Sequence, residues 1–153
     1  MRSPSHRLYL ILHPGNRGGL LYYRREGDGG TLCRGPLEVG GTYVRYLVAF
    51  HQAGGRPVAP GQLARLAAQG NPALVATDLH RVVRPAHERL GLGARPAGRR
   101  QEAPGPGGRG WGGIACLPDG SYRLLAWIRL LDPADPQDRL EMDLLELLAR
   151  HAA

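Results

Sequence analysis

The hydrophobic period of the chain changes twice, and the order of these periods limits the folds that it can adopt. Short apolar runs at 8–12 and 20–23, with a weaker run at 31–33, are separated by turn residues, as in short antiparallel strands. From residue 42 to residue 90 the apolar residues recur at spacings of three and four, which predicts helices. Strand-like runs at 111–117 and 121–131 then flank Pro118-Asp119-Gly120, a combination that predicts a β-hairpin.

Three helices are predicted in the middle of the chain. The first covers 42–52 with Thr42 as its N-cap, the second covers 60–68, and the third covers 77–90. The third helix has one continuous apolar stripe, formed by Leu79, Val82, Val83, Ala86 and Leu90. Its opposite face carries the basic residues His80, Arg81, Arg84, His87 and Arg89. Pro85 lies inside this helix, so a kink, an early end and an uninterrupted helix all remain open.

A last helix is predicted after Asp135, which would cap it with Pro136 at its first position. Its apolar residues are Leu140, Leu144, Leu145, Leu147 and Leu148. Two alternatives remain for this stripe: it packs on its own domain, or it forms a homodimer through residues 136–150. We divide the chain into a domain at 1–131, with a flexible Gly/Pro/Arg loop at 91–113, and a C-terminal helical extension at 132–153.

The charge is uneven along the chain. The sequence contains 20 arginines and no lysine, and its formal net charge is +7. Residues 51–110 hold nine arginines and three acidic residues, whereas residues 111–153 hold four and seven. A basic middle favours a polyanionic partner for that part of the chain, with a merely solvated basic surface as the alternative.

The order of strands, three helices and a hairpin predicts an α+β fold of the winged helix-turn-helix type. Such a fold would have an N-terminal antiparallel sheet, a three-helix core, a C-terminal β-hairpin wing and an extra C-terminal helix. In this arrangement the third helix lies in the major groove of DNA and the wing contacts the backbone or minor groove.

Four stretches resemble the DNA-binding effector domain of OmpR/PhoB-type response regulators. Tyr43–Val58 resembles that family's first helix and following turn, and Val58–Leu63 resembles the entry to its second helix. Val83–Gly91 resembles the end of its recognition helix, and Ile114–Leu124 resembles its final hairpin. The resemblance implies a DNA-binding transcription regulator. We expect no receiver domain before this module, because 153 residues are too few to hold one as well. The chain departs from the family at Pro85 and at the hairpin tip, where the family's basic residue is missing.

The resulting hypothesis is a regulator that binds double-stranded DNA. Helix 77–90 would read the major groove, and the Arg-rich loop and the wing would hold phosphates. The candidate DNA-binding residues are His80, Arg81, Arg84, His87, Arg89, Arg95, Arg99, Arg100, Arg109 and Arg123. The alternative is a winged-helix module that binds RNA polymerase or another protein assembly.

Other classes find no support in the sequence. We expect no enzyme and no catalytic residues, since neither a nucleophile elbow nor a phosphate-cradling glycine motif is present. We expect no metal and no cofactor, because His80 and His87 lack further ligands and Cys33 and Cys116 are the only cysteines. No apolar run is long enough for a membrane span and no secretion signal is recognised, which predicts a cytoplasmic, nucleoid-associated protein.

Overall fold

The computed structural model describes residues 6–27, 30–92, 110–111 and 113–151. The described strands are β1 His6–Leu12, β2 Gly18–Gly27, β3 Gly30–Gly40, β4 Gly110–Trp111, β5 Ile114–Cys116, β6 Tyr122–Leu124 and β7 Trp127–Leu131. The described α-helices are α1 Gly41–Ala53, α2 Pro60–Ala67, α3 Pro72–Asp78, α4 Arg84–Arg89 and α5 Pro136–His151. A π-helical turn, Leu79–Val83, joins α3 to α4. The α+β class, the N-terminal sheet and the C-terminal helix are confirmed.

The N-terminal strands form one side of a four-stranded sheet in the order β3-β2-β1-β7. Each of the three predicted strands is present and longer than expected, and neighbouring strands in this part are antiparallel. The predicted strand at 121–131 is wrong as one element, because it divides into β6 and β7. β6 stays in the hairpin, whereas β7 pairs in parallel with β1, with Leu8 opposite Ile128.

The predicted hairpin is confirmed as β5 and β6, which form a small sheet with β4 in the order β4-β5-β6. The Asp119 carboxylate accepts hydrogen bonds from the Ser121 backbone N–H (2.9 Å) and hydroxyl (2.6 Å), which fixes the turn. These bonds hold the pKa of Asp119 below its ordinary value, so the tip carries a negative charge. Beside its turn, where Cys116 pairs with Tyr122, the hairpin bonds to the segment after α1 through two backbone hydrogen bonds between Val58 and Tyr122.

Two layers of core lie on opposite faces of the four-stranded sheet. Strand alternation sends Leu8 and Leu10 toward α1 and sends Tyr9 and Ile11 toward the other face. α1 begins one residue before Thr42, and the Gly40 N-cap makes no side-chain bond, so the predicted Thr42 cap is wrong.

α5 covers the second face of the sheet. Its Leu145 is fully buried against the outer sheet residues, and the Cys33 thiol donates to the Leu145 carbonyl oxygen at 3.5 Å. The predicted Asp135 cap is confirmed by its side chain, which accepts the Gln137 N–H at 2.9 Å. Asp138 accepts hydrogen bonds from Arg129 and from the Asp132 N–H, which ties the start of α5 to the end of β7.

Candidate nucleic-acid interface

The helix predicted at 77–90 begins earlier than expected. It runs from Pro72 to Arg89 as α3, the π-helical turn and α4, and we call it the long helix. Asn71 caps it, because its side-chain oxygen accepts the Ala73 N–H at 3.0 Å, and Pro72 occupies the first turn. In the turn from α2, Gln69 and Gly70 take positive φ angles of 54° and 80°. The first half of the long helix is therefore a part of the surface that the sequence prediction left out.

Pro85 neither ends nor breaks the long helix. Val83 and Arg84 on its N-terminal side keep right-handed helical angles. The Arg84 N–H donates to the Leu79 carbonyl oxygen, five residues earlier, as in a π-helix. The widened turn thus lies directly before Pro85, which has no N–H to donate and whose ring crowds the preceding turn. The sequence left a kink, an early end and an uninterrupted helix open. The structure has the third of these, since the helix continues through Pro85 to Arg89.

The predicted exposure of His87 is wrong. His87 is fully buried, its Nε2 lies 2.8 Å from the Tyr43 hydroxyl oxygen, and the two rings meet edge to face. A π-helical turn inserts about one extra residue, which rotates everything after it by about 100°. This rotation moves His87 from the side of His80 into the core. A fully buried side chain cannot contact a duplex, so His87 leaves the set of candidate DNA-binding residues.

The first half of the long helix is its exposed half. Leu74, Thr77, His80 and Arg81 are exposed, whereas Val75 and Leu79 pack in the core. Leu74, Thr77 and Arg81 have spacings of three and four, so they form one line on the surface, which we call the reading line. The sequence prediction omits Leu74 and Thr77 from the site, because it starts the third helix only at residue 77. Asn71 followed by Pro72 is a helix-start pattern that could have revealed them.

His80 and Arg84 face the hairpin across a cleft. The cleft has a volume of about 190 Å³ and is lined by Ala76, Leu79, His80, Arg84, Ile114, Cys116 and Tyr122. Arg84 is only partly exposed, and its Nε lies 3.7 Å from the Glu88 carboxylate. Arg84 therefore belongs to the wall between helix and hairpin, and its charge is partly balanced by Glu88.

The remaining candidate arginines fall into two groups. Arg89 is exposed, and the rotation at the π-helical turn brings it close to the line of Arg81. Arg123 is exposed, and strand alternation places it on the hairpin face opposite Tyr122, which lines the cleft. The other four, Arg95, Arg99, Arg100 and Arg109, lie outside the described residues, as does most of the predicted loop at 91–113.

The acidic residue of α3 is held against α1. The Tyr46 hydroxyl donates to the Asp78 carboxylate at 2.7 Å. Burial and this carboxylate together raise the pKa of Tyr46, so its hydroxyl stays a donor at all ordinary pH values. This bond joins α3 to the core and turns Asp78, the acidic residue of α3, toward α1. The charge on the reading line is therefore the positive charge of Arg81.

No group of three or more His, Cys, Asp or Glu side chains in the described ranges is arranged to hold a metal ion. Among the described helices, none combines the length and the apolar character that a bilayer crossing requires. Comparison of the chain with models of known families, with curated proteins and with solved structures gives no match.

Proposed function

We propose that the chain is a double-stranded DNA-binding transcription regulator of the winged-helix type, with no catalytic role for any of the residues named above. The observation that carries the proposal is the reading line on the exposed half of the long helix, which lies beside a hairpin bonded to the segment after α1. In helix-turn-helix proteins, the N-terminal residues of the recognition helix contact base edges. The order of α1, α2, the long helix and the hairpin suits this use, and such a regulator acts in the cytoplasm at the nucleoid.

The reading line offers three kinds of contact to the major groove. Arg81 presents a planar fork of donors that matches the acceptors of guanine or a phosphate. The Thr77 hydroxyl can donate to or accept from a base edge, and Leu74 offers an apolar surface to a thymine methyl group. His80, at the side of this line, supplies one more donor near the hairpin. Sequence preference therefore depends on the first half of the long helix and not on the half that contains His87.

Phosphate contacts supply the remaining affinity. Arg89 and Arg123 are exposed and are assigned to the DNA backbone. Arg95, Arg99, Arg100 and Arg109 between the long helix and the hairpin are assigned the same role. Because the Asp119 tip is negatively charged, the hairpin approaches the duplex with its strand residues and keeps its tip away from the phosphates.

The test is a measurement of affinity against salt on a duplex selected from a random library. We expect log K to fall linearly with log salt, and Arg123→Ala to reduce the slope by about 0.9 if it contacts one phosphate. Arg81→Ala should weaken binding to the selected site by about 1–3 kcal/mol, because a base contact is lost.

The matched control is Arg139→Ala, which removes the same charge from an exposed position of α5, on the opposite face of the sheet. Its affinity and its salt slope should equal those of the wild type. Equal losses for Arg81→Ala and Arg139→Ala would show that only net charge matters. The absence of salt-sensitive binding to any duplex would refute the proposal.

The alternative is a module that binds RNA polymerase or another protein assembly. Exposed leucines on α2 and the long helix favour it: Leu66 and Leu74 are 45% and 43% exposed. Co-purification of polymerase that is lost in the variant Leu66→Ser with Leu74→Ser, without any DNA binding by the wild type, would decide for this alternative.

A further inference from the structure

α5 has two apolar faces, and only one of them is covered. The inner face contains Leu145, which is fully buried against the sheet. On the other side, Leu140, Leu144 and Leu147 are 70%, 39% and 52% exposed. The two interpretations of the leucine pattern thus apply to different residues: one group packs on its own domain and the other has no cover within the described residues.

The uncovered leucines have the spacing of a helix-pairing seam. Residues 140, 144, 147 and 151 follow one another at intervals of four, three and four, which matches alternating d and a positions of a heptad. His151, the last described residue of α5, occupies the final a position and is exposed. We call Leu140, Leu144, Leu147 and His151 the outer stripe.

The charges beside the outer stripe select an orientation for a partner helix. Asp143 and Arg150 both lie at g positions, one residue before each a position. In an antiparallel pair the g positions of the two helices lie alongside each other, so Asp143 of one copy meets Arg150 of the other, twice by symmetry. In a parallel pair, Asp143 would instead face an e position, which in this chain is Leu148.

We propose that the outer stripe is an interface with a second copy of this chain, paired antiparallel about a two-fold axis. Leu144 of each copy packs against Leu147 of the other, and Leu140 packs against His151 of the other. The partner is assigned as a second copy because the same register that closes these layers also brings the opposite charges together, and because each layer reproduces itself under the two-fold axis. The inference does not depend on DNA binding.

The size of the contact sets the strength of the dimer. α5 has 16 residues and is therefore about 24 Å long. Four layers on a helix of this length bury less surface than the ~1,200–2,000 Å² of a standard stable interface. The dimer is therefore reversible and depends on protein concentration.

The first experiment is sedimentation equilibrium of the full chain over a wide range of concentration, without DNA. We expect a reversible monomer–dimer equilibrium for the wild type and a monomer for Leu144→Glu with Leu147→Glu. The control, Leu66→Glu with Leu74→Glu, adds the same two charges at leucines of similar exposure (45% and 43%) outside α5 and should dimerise like the wild type. A wild type that stays monomeric at every concentration, or a control that loses dimerisation equally, would overturn the proposal.

The second experiment reverses single charges and leaves the leucines in place. Asp143→Arg and Arg150→Asp each turn two attractive contacts into two repulsive ones, and each should weaken self-association about tenfold. A mixture of these two variants restores opposite charges at both contacts, so the mixed dimer should form more strongly than the dimer of either variant alone. It should stay somewhat weaker than the wild-type dimer, because Arg150→Asp also removes the 2.7 Å pair of Arg150 with Glu146 within α5. If the mixture associates no better than either variant alone, the antiparallel pairing is wrong.

Discussion

Each half of the long helix contains one histidine, and the two histidines have opposite environments. In the first half, Leu74, Thr77, His80 and Arg81 face solvent. In the second half, Ala86 and His87 follow the π-helical turn and are buried, as is Leu90 directly after the helix. The difference arises from one extra residue in the turn that precedes Pro85, since each later side chain is rotated by about 100°. The same residue type, histidine, is thereby a surface donor at one position and a core residue at another.

The largest expected effect comes from the two histidines. His87→Ala removes the hydrogen bond to Tyr43 and leaves a void in the core, so unfolding free energy should fall by about 3 kcal/mol. His80→Ala removes an exposed side chain and should change it by less than about 0.5 kcal/mol. Denaturant titrations of both variants measure the difference. Similar small effects at both positions would contradict the rotation at the π-helical turn.

A smaller effect is expected at the bond that attaches the first half to the core. Tyr46→Phe keeps the buried ring but deprives the Asp78 carboxylate of its 2.7 Å donor. Hydrogen bonds to charged groups contribute about 1.5–3 kcal/mol, so we expect a loss of about 2 kcal/mol in a denaturant titration. Tyr122→Phe, at a half-buried tyrosine of the hairpin, serves as the control for the loss of a hydroxyl. Equal losses in the two variants would mean that the Asp78 contact contributes nothing specific.

The smallest effect is expected at Pro85 itself. A proline in a regular helix interior costs about 3 kcal/mol relative to alanine. In the long helix the π-helical turn already accommodates Pro85, so Pro85→Ala should change stability by less than about 1 kcal/mol, including the added freedom of the unfolded chain. A stabilisation near 3 kcal/mol would show that the proline strains the helix, and amide exchange of the Leu79–Val83 turn would locate the change.

The sequence predicted those elements whose hydrophobic period is regular. The first three strands, α1, α2, the Asp119-Gly120 hairpin and the Asp135 cap all follow from local patterns, and the structure contains them. The parallel pairing of β7 with β1 could not be predicted, because it depends on contacts between distant parts of the chain.

The candidate site was less predictable than the fold. A helical stripe assumes 3.6 residues per turn throughout, and a single widened turn invalidates every assignment after it. His87 was misplaced for this reason, whereas Arg81, before the turn, is exposed as expected. The early helix start at Pro72 was a missed local pattern rather than a limit of sequence information.

The pairing of β1 with β7 has a consequence for the order of synthesis. β1 leaves the ribosome well before β7, yet in the described sheet one edge of β1 is covered by Trp127–Leu131 of β7. Until those residues emerge, the growing chain displays an unpaired strand edge of Leu, Tyr and Ile, which is the type of surface that templates aggregation. Products of interrupted translation that stop before Trp127 are therefore expected to be substrates for chaperones or proteases.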